Sequence, residues 1–410
     1  MAGRRLSSVL SQMLPSTTAV DSITQQLPDD VVITLAVRTP MCKAGRGGLK
    51  DTTLDTLVFK ILEQVRIRSN VEPALVEDIC LGNVRDGKAS YYARAASLAA
   101  GFPNTTCASS VSRFCSSGLT ATQFIANEIR NGVISVGVAV GAESLSEGNE
   151  RLSRPFADEL LESAEARDCL LPMGATSENV AKDFHISRER QDEYAVESYK
   201  RAEIAQGAGW FQDEIVPLTV KKDGNEIVID KDEIRLGTTY EAISKLKPSF
   251  GEYGNTTHAG NASQITDGAA ALLLMRRSKA LELKQPILAK YVDTAMAGLP
   301  PRIMGIGPVF AIPKLLARYG LSLEHDIDVV EINEAFASMA VYCRDHLKID
   351  WTKMNPRGGA IALGHPFGCT GIRQIVTGIS ECKRRKARVL LTSMCLGTGM
   401  GLAGLFVVES

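Results

Sequence analysis

From residue 30 onward, short apolar runs alternate with segments of helical period. VVITLAV at 31–37 is continuous and of strand length, a 3.6-residue period follows near 54–67, VEDICLGNV at 76–84 reads as another strand, and a second helical pattern lies around 90–101. Further on, Leu119, Thr122, Ala126 and Ile129 fall at i, i+3, i+7 and i+10, and Asn131-Gly132 provides a stop before the buried-strand run VISVGVAVGAES. This alternation predicts an α/β fold.

A similar order returns near the C-terminus. Ile372, Ile375, Val376 and Ile379 repeat the helical face, and an apolar strand ends at Cys395. With Gly118 set equivalent to Gly371, the two helices and strands fall into step, and DIDVVEINEAF matches VEDICLGNV, as two similar α/β halves packed on one another would require. Residues from about 146 are more polar and irregular and read as a large insertion able to build a binding surface. The expected division is a targeting or flexible segment at 1–29, an N-terminal half at 30–145 completed by about 268–284, a loop domain at 146–267, and a C-terminal half at 285–410. The basic run Lys383 to Lys386 reads as a solvated last helical turn favoured by the helix dipole.

Composition narrows the function. The 410 residues carry 46 basic and 47 acidic side chains, so no positive field exists to hold nucleic acid or an anionic membrane, and small-molecule chemistry is expected. No apolar run approaches the roughly 18 residues of a spanning helix, and no secretory leader is recognisable. Nine cysteines without CxxC pairs argue for reduced thiols, against a disulfide framework and against zinc. Cys80, Cys343 and Cys382 read as small buried hydrophobes. The first 28 residues are rich in serine and have no acid before Asp21; Arg5, Leu6 and Gln12 resemble an N-terminal peroxisomal import signal, although Met13 departs from it. A mitochondrial transit segment or plain disorder are the other readings.

Four passages could carry chemistry. In SVSRFCSSGLTA, Cys115 precedes a helix, whose dipole and free N–H groups would favour the thiolate; alone, the stretch favours a buried filler. In NPRGGAIALGHPFGCTG, five glycines surround His365, where close backbone approach suits a general base. His185, His325 and His346 lie in charged surroundings and read as surface residues; His258 is left open. SMCLGTGMGLAG runs a strand through Cys395 into Gly397, exposing N–H groups that could receive an oxyanion. EINEAFA puts Asn333 and Glu334 at the end of an apolar run, where buried polar groups need partners.

Together these passages resemble the thiolase family, and within it the degradative 3-ketoacyl-CoA thiolases, from about residue 30 to 410. The resemblance also rests on GAESLS, CLLPMGATSENVA, GNASQITDGAAA and IMGIGP. It implies a five-layered αβαβα fold of two halves with an inserted, CoA-binding loop domain. It further implies that Cys115 is the acyl-accepting nucleophile, His365 its base, Cys395 the acid/base cysteine, and Asn333 the holder of a water at the thioester oxyanion. The N–H groups of Cys115 and Gly397 would form the other oxyanion site, with Ser263 and Met173 lining the pantetheine tunnel and Phe336 the pocket.

That chemistry suits the residue types. A thiolate can take the acyl group as a thioester and pass it to a second thiol, while the leaving acetyl-CoA enolate needs a nearby acid. CoA and 3-ketoacyl-CoA are then substrates, with no metal or organic cofactor required, and the family implies a homodimer, a peroxisomal address and the last step of β-oxidation. The alternatives are an acetoacetyl-CoA thiolase working in biosynthetic condensation and a catalytically silent acyl-CoA-binding relative. Ser112, Arg113 and Phe114 stand where the family has Asn-Arg-Gln, Phe367 where it has Leu, and His258 where it has Thr. The bulk of Phe114 and Phe367 is expected to reshape the acyl pocket and alter chain-length preference.

Overall fold

A computed structural model describes residues 18–147 and 156–409, so Arg5, Leu6 and Gln12 lie outside the described residues. In chain order the strands of the first part are β1 Val31–Arg38, β2 Cys42–Lys43, β3 Asp78–Gly82, β4 Cys107–Val111 and β5 Val136–Glu143. They are followed by β6 Leu218–Lys222, β7 Asn225–Ile229, β8 Thr266–Arg276, β9 Ala289–Gly298, β10 Val329–Ile332, β11 Val389–Leu396 and β12 Met400–Val408.

Two halves share one plan. In the first, the order is β4-β3-β5-β8-β1, with β3 parallel to β4 and β5 and the β5–β8 and β8–β1 pairs antiparallel. In the second it is β10-β11-β12-β9, with β10 parallel to β11 and the rest antiparallel. The helix Ser117–Arg130 leads into β5, and the helix Phe367–Arg385 leads into β11 at the matching place. β1 and β9 join the halves, Val31, Val32 and Ile33 pairing with Tyr291, Lys290 and Ala289.

Side-chain alternation turns this plan into five layers. On β8, Ala269, Ala271, Leu273 and Met275 pack with the outer helices Leu54–Ser69 and Ala89–Ala99, while Ala270, Leu272 and Leu274 face the centre. On β12, Leu402 and Phe406 face the centre, and Ala403, Leu405 and Val407 pack outward with the helices Gly307–Ala317 and Ala337–His346. The central layer is the pair of helices Ser117–Arg130 and Phe367–Arg385. Their crossing requires glycine: a Cβ at Gly118 would lie 2.6 Å from the Gly368 carbonyl oxygen, and one at Gly371 would lie 2.4 Å from the Leu119 nitrogen. The positions equated by sequence are thus the points where the two backbones touch.

Between β5 and β8 the chain builds the helices Met173–Asp183 and Arg188–Gly207 and the β6–β7 hairpin. A fully buried Arg38 ties this segment to β1, bonding Glu214 Oε1 at 2.8 Å and both Asp232 oxygens at 2.7 and 2.8 Å. The basic run at the end of the second central helix is an exposed last turn, as expected, and part of it is also paired. Arg384 and Arg385 both bond Glu381, and Arg384 stacks 3.9 Å from the Trp210 ring centroid. Among the described residues, no helix is long and apolar enough to cross a membrane.

Candidate active site

Cys115 sits in a tight turn entering the first central helix. Phe114 has φ 45°, a left-handed conformation that is unusual and costly for a bulky residue. Ser117 fastens the turn, its Oγ accepting from Arg113 N–H at 2.9 Å and donating to the Phe114 carbonyl at 2.6 Å. The backbone N–H groups of Gly397 and of Cys115 itself are directed at Sγ and favour its charged form, as expected for a helix start. Burial outweighs them. Although Cys115 is partly accessible, the protein packed around its sulfur pushes the thiol up to about 12, so the resting group is a thiol and not the thiolate that its place before the helix suggests.

His365 occupies the matching place before the second central helix, buried in the glycine-rich turn. Burial first, and Arg373 second, hold its pKa down to about 3, so the ring is neutral. Its tautomer follows from its neighbours. The Thr370 hydroxyl donates to the Pro366 carbonyl at 3.0 Å and therefore accepts from His365 Nδ1 at 2.7 Å. Nε2 keeps its lone pair, with Asn333 Nδ2 at 3.3 Å as donor, and Asn333 Oδ1 is buried without a partner among the described residues.

Both residues open onto one cavity of about 750 Å³. Gly397, Ser263, Met173 and Phe336 line it as well, so six of the eight residues singled out by sequence share its wall. Cys395 and Asn333 lie buried behind it. Cys395 packs with Met304, Ala335 and Met339, its Sγ 3.4 Å from Met339 Sδ; burial and the proximity of Cys115 push its thiol well above the ordinary range. Ser263 N–H donates to the Ala335 carbonyl at 3.0 Å, and the Phe336 ring meets Phe250 edge-on at 6.5 Å. The two bulky departures stand in the wall too. Phe367 lies edge-on to His365 at 5.1 Å, and a Cβ on Gly397 would lie 3.3 Å from Phe114 Cδ1.

His258 also borders the cavity, yet both its nitrogens are engaged within the protein. Nδ1 accepts from Gly260 N–H at 3.0 Å, leaving Nε2–H for Asp192 Oδ1 at 2.7 Å, so it is a fixed wall and not a base. His185, His325 and His346 are exposed. Sequence reasoning passed over Thr370, which sets the His365 tautomer and stands five residues after it, one helical turn into the following pattern. It also passed over Lys43, Arg46 and Arg235, cations from two distant segments that meet at the cavity. No local signal marks their meeting.

A thiol and an unprotonated imidazole at the starts of two packed helices, opening onto a largely apolar cavity, define a site for acyl transfer through sulfur. The models of the thiolase N-terminal domain and the thiolase C-terminal domain match residues 31–278 and 285–408. The chain belongs to the thiolase family. It is 50% identical over 398 residues to a peroxisomal 3-ketoacyl-CoA thiolase of Yarrowia lipolytica, covering 95% of this chain and 96% of that protein. It is 50% identical to the human peroxisomal 3-ketoacyl-CoA thiolase, covering 92% and 90%. The dimeric peroxisomal thiolase of Saccharomyces cerevisiae superposes with a TM-score of 0.90 at 44% identity, covering 95% of this chain and all of that one.

Proposed function

We propose that the chain is a peroxisomal 3-ketoacyl-CoA thiolase, cleaving 3-ketoacyl-CoA with CoA to acetyl-CoA and an acyl-CoA two carbons shorter, the last step of fatty-acid β-oxidation. The observation that carries this reading is the Cys115 thiol and the His365 lone pair opening onto one cavity, in a chain half identical to enzymes of that name.

In this mechanism Cys115 Sγ attacks the keto carbonyl as its proton passes to His365 Nε2. Thiol and imidazole are both neutral at rest, so the thiol proton must be transferred for the sulfur to become nucleophilic. The N–H groups of Cys115 and Gly397, directed at Sγ, would receive the oxyanion forming beside the sulfur. The bond between the α and β carbons then breaks, and Cys395 protonates the departing enolate. In the second half-reaction Cys395 takes the proton of incoming CoA, whose sulfur displaces the acyl group, and His365 returns its proton to Cys115. The protonated His365, with a water held by Asn333 Oδ1, would serve the thioester oxygen. Ser263, Met173 and Phe336 would line the path of the pantetheine arm and acyl group, and Lys43, Arg46 and Arg235 suit the phosphates of CoA. No cofactor beyond the two substrates is called for.

Two further parts of the reading concern partners. Strand β4, with partly exposed residues and at the sheet's edge among the described residues, suits pairing with a second copy in a homodimer. Arg5, Leu6 and Gln12 would engage a peroxisomal import receptor. The test of the reaction is a thiolysis assay with 3-ketoacyl-CoA of several lengths. Acetyl-CoA should appear in equal amount to the shortened acyl-CoA, with an acyl adduct on the Cys115 peptide. CoA binding without turnover would favour the silent binding protein instead, and condensation outrunning thiolysis would favour the biosynthetic enzyme.

A further inference from the structure

Glu143 ends β5 inside the molecule, 1% exposed, and each of its oxygens receives two donors. Oε1 accepts from Asn83 Nδ2 at 3.1 Å and Arg85 N–H at 3.0 Å; Oε2 accepts from Val84 N–H at 3.1 Å and Gly368 N–H at 2.8 Å. Three of these donors belong to the loop after β3, in the half that carries Cys115. The fourth lies in the first turn of the helix that follows His365, in the other half.

The fit around that fourth donor leaves no slack. A Cβ on Gly368 would lie 2.4 Å from the Gly82 carbonyl oxygen and 2.7 Å from that of Ala142, and a Cβ on Gly141 would lie 2.4 Å from the Gly368 oxygen. The helix start therefore rests directly on the ends of β3 and β5, and Glu143 is the side chain that holds it there. We infer that Glu143 is a positioning residue for the reaction, latching the start of the helix that follows His365 to the loop after β3 and so fixing His365 against Cys115 across the boundary between the halves. This rests on the thiolytic reading above.

The chemistry requires a carboxylate. Four N–H donors need four acceptor lone pairs in one plane, which a carboxylate offers; a glutamine, in either orientation, would point its own N–H₂ at two of them. The helix start also favours negative charge. Burial raises the Glu143 pKa to about 7 against the opposing effects of those donors and of Arg85. The other titratable groups that feel its charge are the Cys115 and Cys369 thiols, which it raises.

The test compares wild type, Glu143→Gln and Glu143→Asp in thiolysis and in iodoacetamide alkylation of Cys115 as a function of pH. Displacing a catalytic group by about 1 Å costs on the order of 100-fold in rate. Glu143→Gln should lose about that much kcat with little change in the KM for CoA, and its alkylation midpoint should move to lower pH because the negative charge is gone. Glu143→Asp keeps the charge and loses the reach, so kcat should fall with the midpoint unmoved; it carries the test alone if the glutamine variant does not fold. Wild-type kcat in either variant, or a falling Tm with unchanged kcat and midpoint, would overturn the inference. Wild-type protein that lacked thiolysis would instead defeat the functional reading, and the alkylation profiles would still report whether Glu143 acts on Cys115.

Discussion

Burial and hydrogen bonding pull the Cys115 thiol in opposite directions, and burial wins in the resting site. Cys115 opens onto the cavity, so acyl-CoA should shield it from iodoacetamide, as peptide mapping of the Cys115 peptide with and without acyl-CoA would show. Cys395→Ala should nearly abolish turnover while slow single acylation of Cys115 persists, because the enolate loses its acid and the nucleophile keeps its base. Wild-type thiolysis in that variant would contradict the role given to Cys395. Phe367 crowds His365 from the cavity wall. Phe367→Leu removes ring bulk there and should raise kcat/KM several-fold for long 3-ketoacyl-CoA relative to acetoacetyl-CoA, measured side by side.

The two central helices bring the site together, since each delivers one reacting group from its N-terminal end. Their apolar faces, Leu119, Thr122, Ala126 and Ile129 on one and Ile372, Ile375, Val376 and Ile379 on the other, were legible as periodicity. Their mutual contact was legible only as a pair of glycines with no stated reason. The structure supplies it: the neighbour at each glycine is backbone, which cannot turn aside. Gly118→Ala should therefore force the helices apart and cost about 1–3 kcal/mol or more, read as a lower urea midpoint, together with a loss of kcat. Gly320, at φ 64° with open space around it, is the contrasting site; alanine there meets only backbone strain, about 1 kcal/mol.

Over the whole molecule, buried charge and buried imidazole set how stability responds to change. Arg38→Ala would strand Asp232 and Glu214 in the interior and should cost roughly 3–5 kcal/mol in chemical denaturation, loosening the segment between β5 and β8. His365 makes the fold acid-sensitive. The unfolded chain binds a proton on this ring at about pH 6.5, the folded ring only near 3. Stability from this group is full above about pH 6.5 and falls as pH drops toward 3, by up to about 1.4 kcal/mol per unit. His365→Asn should therefore lose less stability than wild type between pH 6.5 and 4.5 in parallel urea titrations. The α/β class, the two halves and six residues that share one cavity wall could be read from the sequence, because apolar period and local motifs are properties of neighbours along the chain. The tertiary structure alone decided the rest: that burial keeps Cys115 a thiol, that His258 is a wall, that Glu143 latches one half to the other, and that Arg38 spans from β1 to Asp232. Each depends on what lies across space, often more than a hundred residues away in sequence, where desolvation and hydrogen-bond partners are set by packing and leave no trace in local pattern.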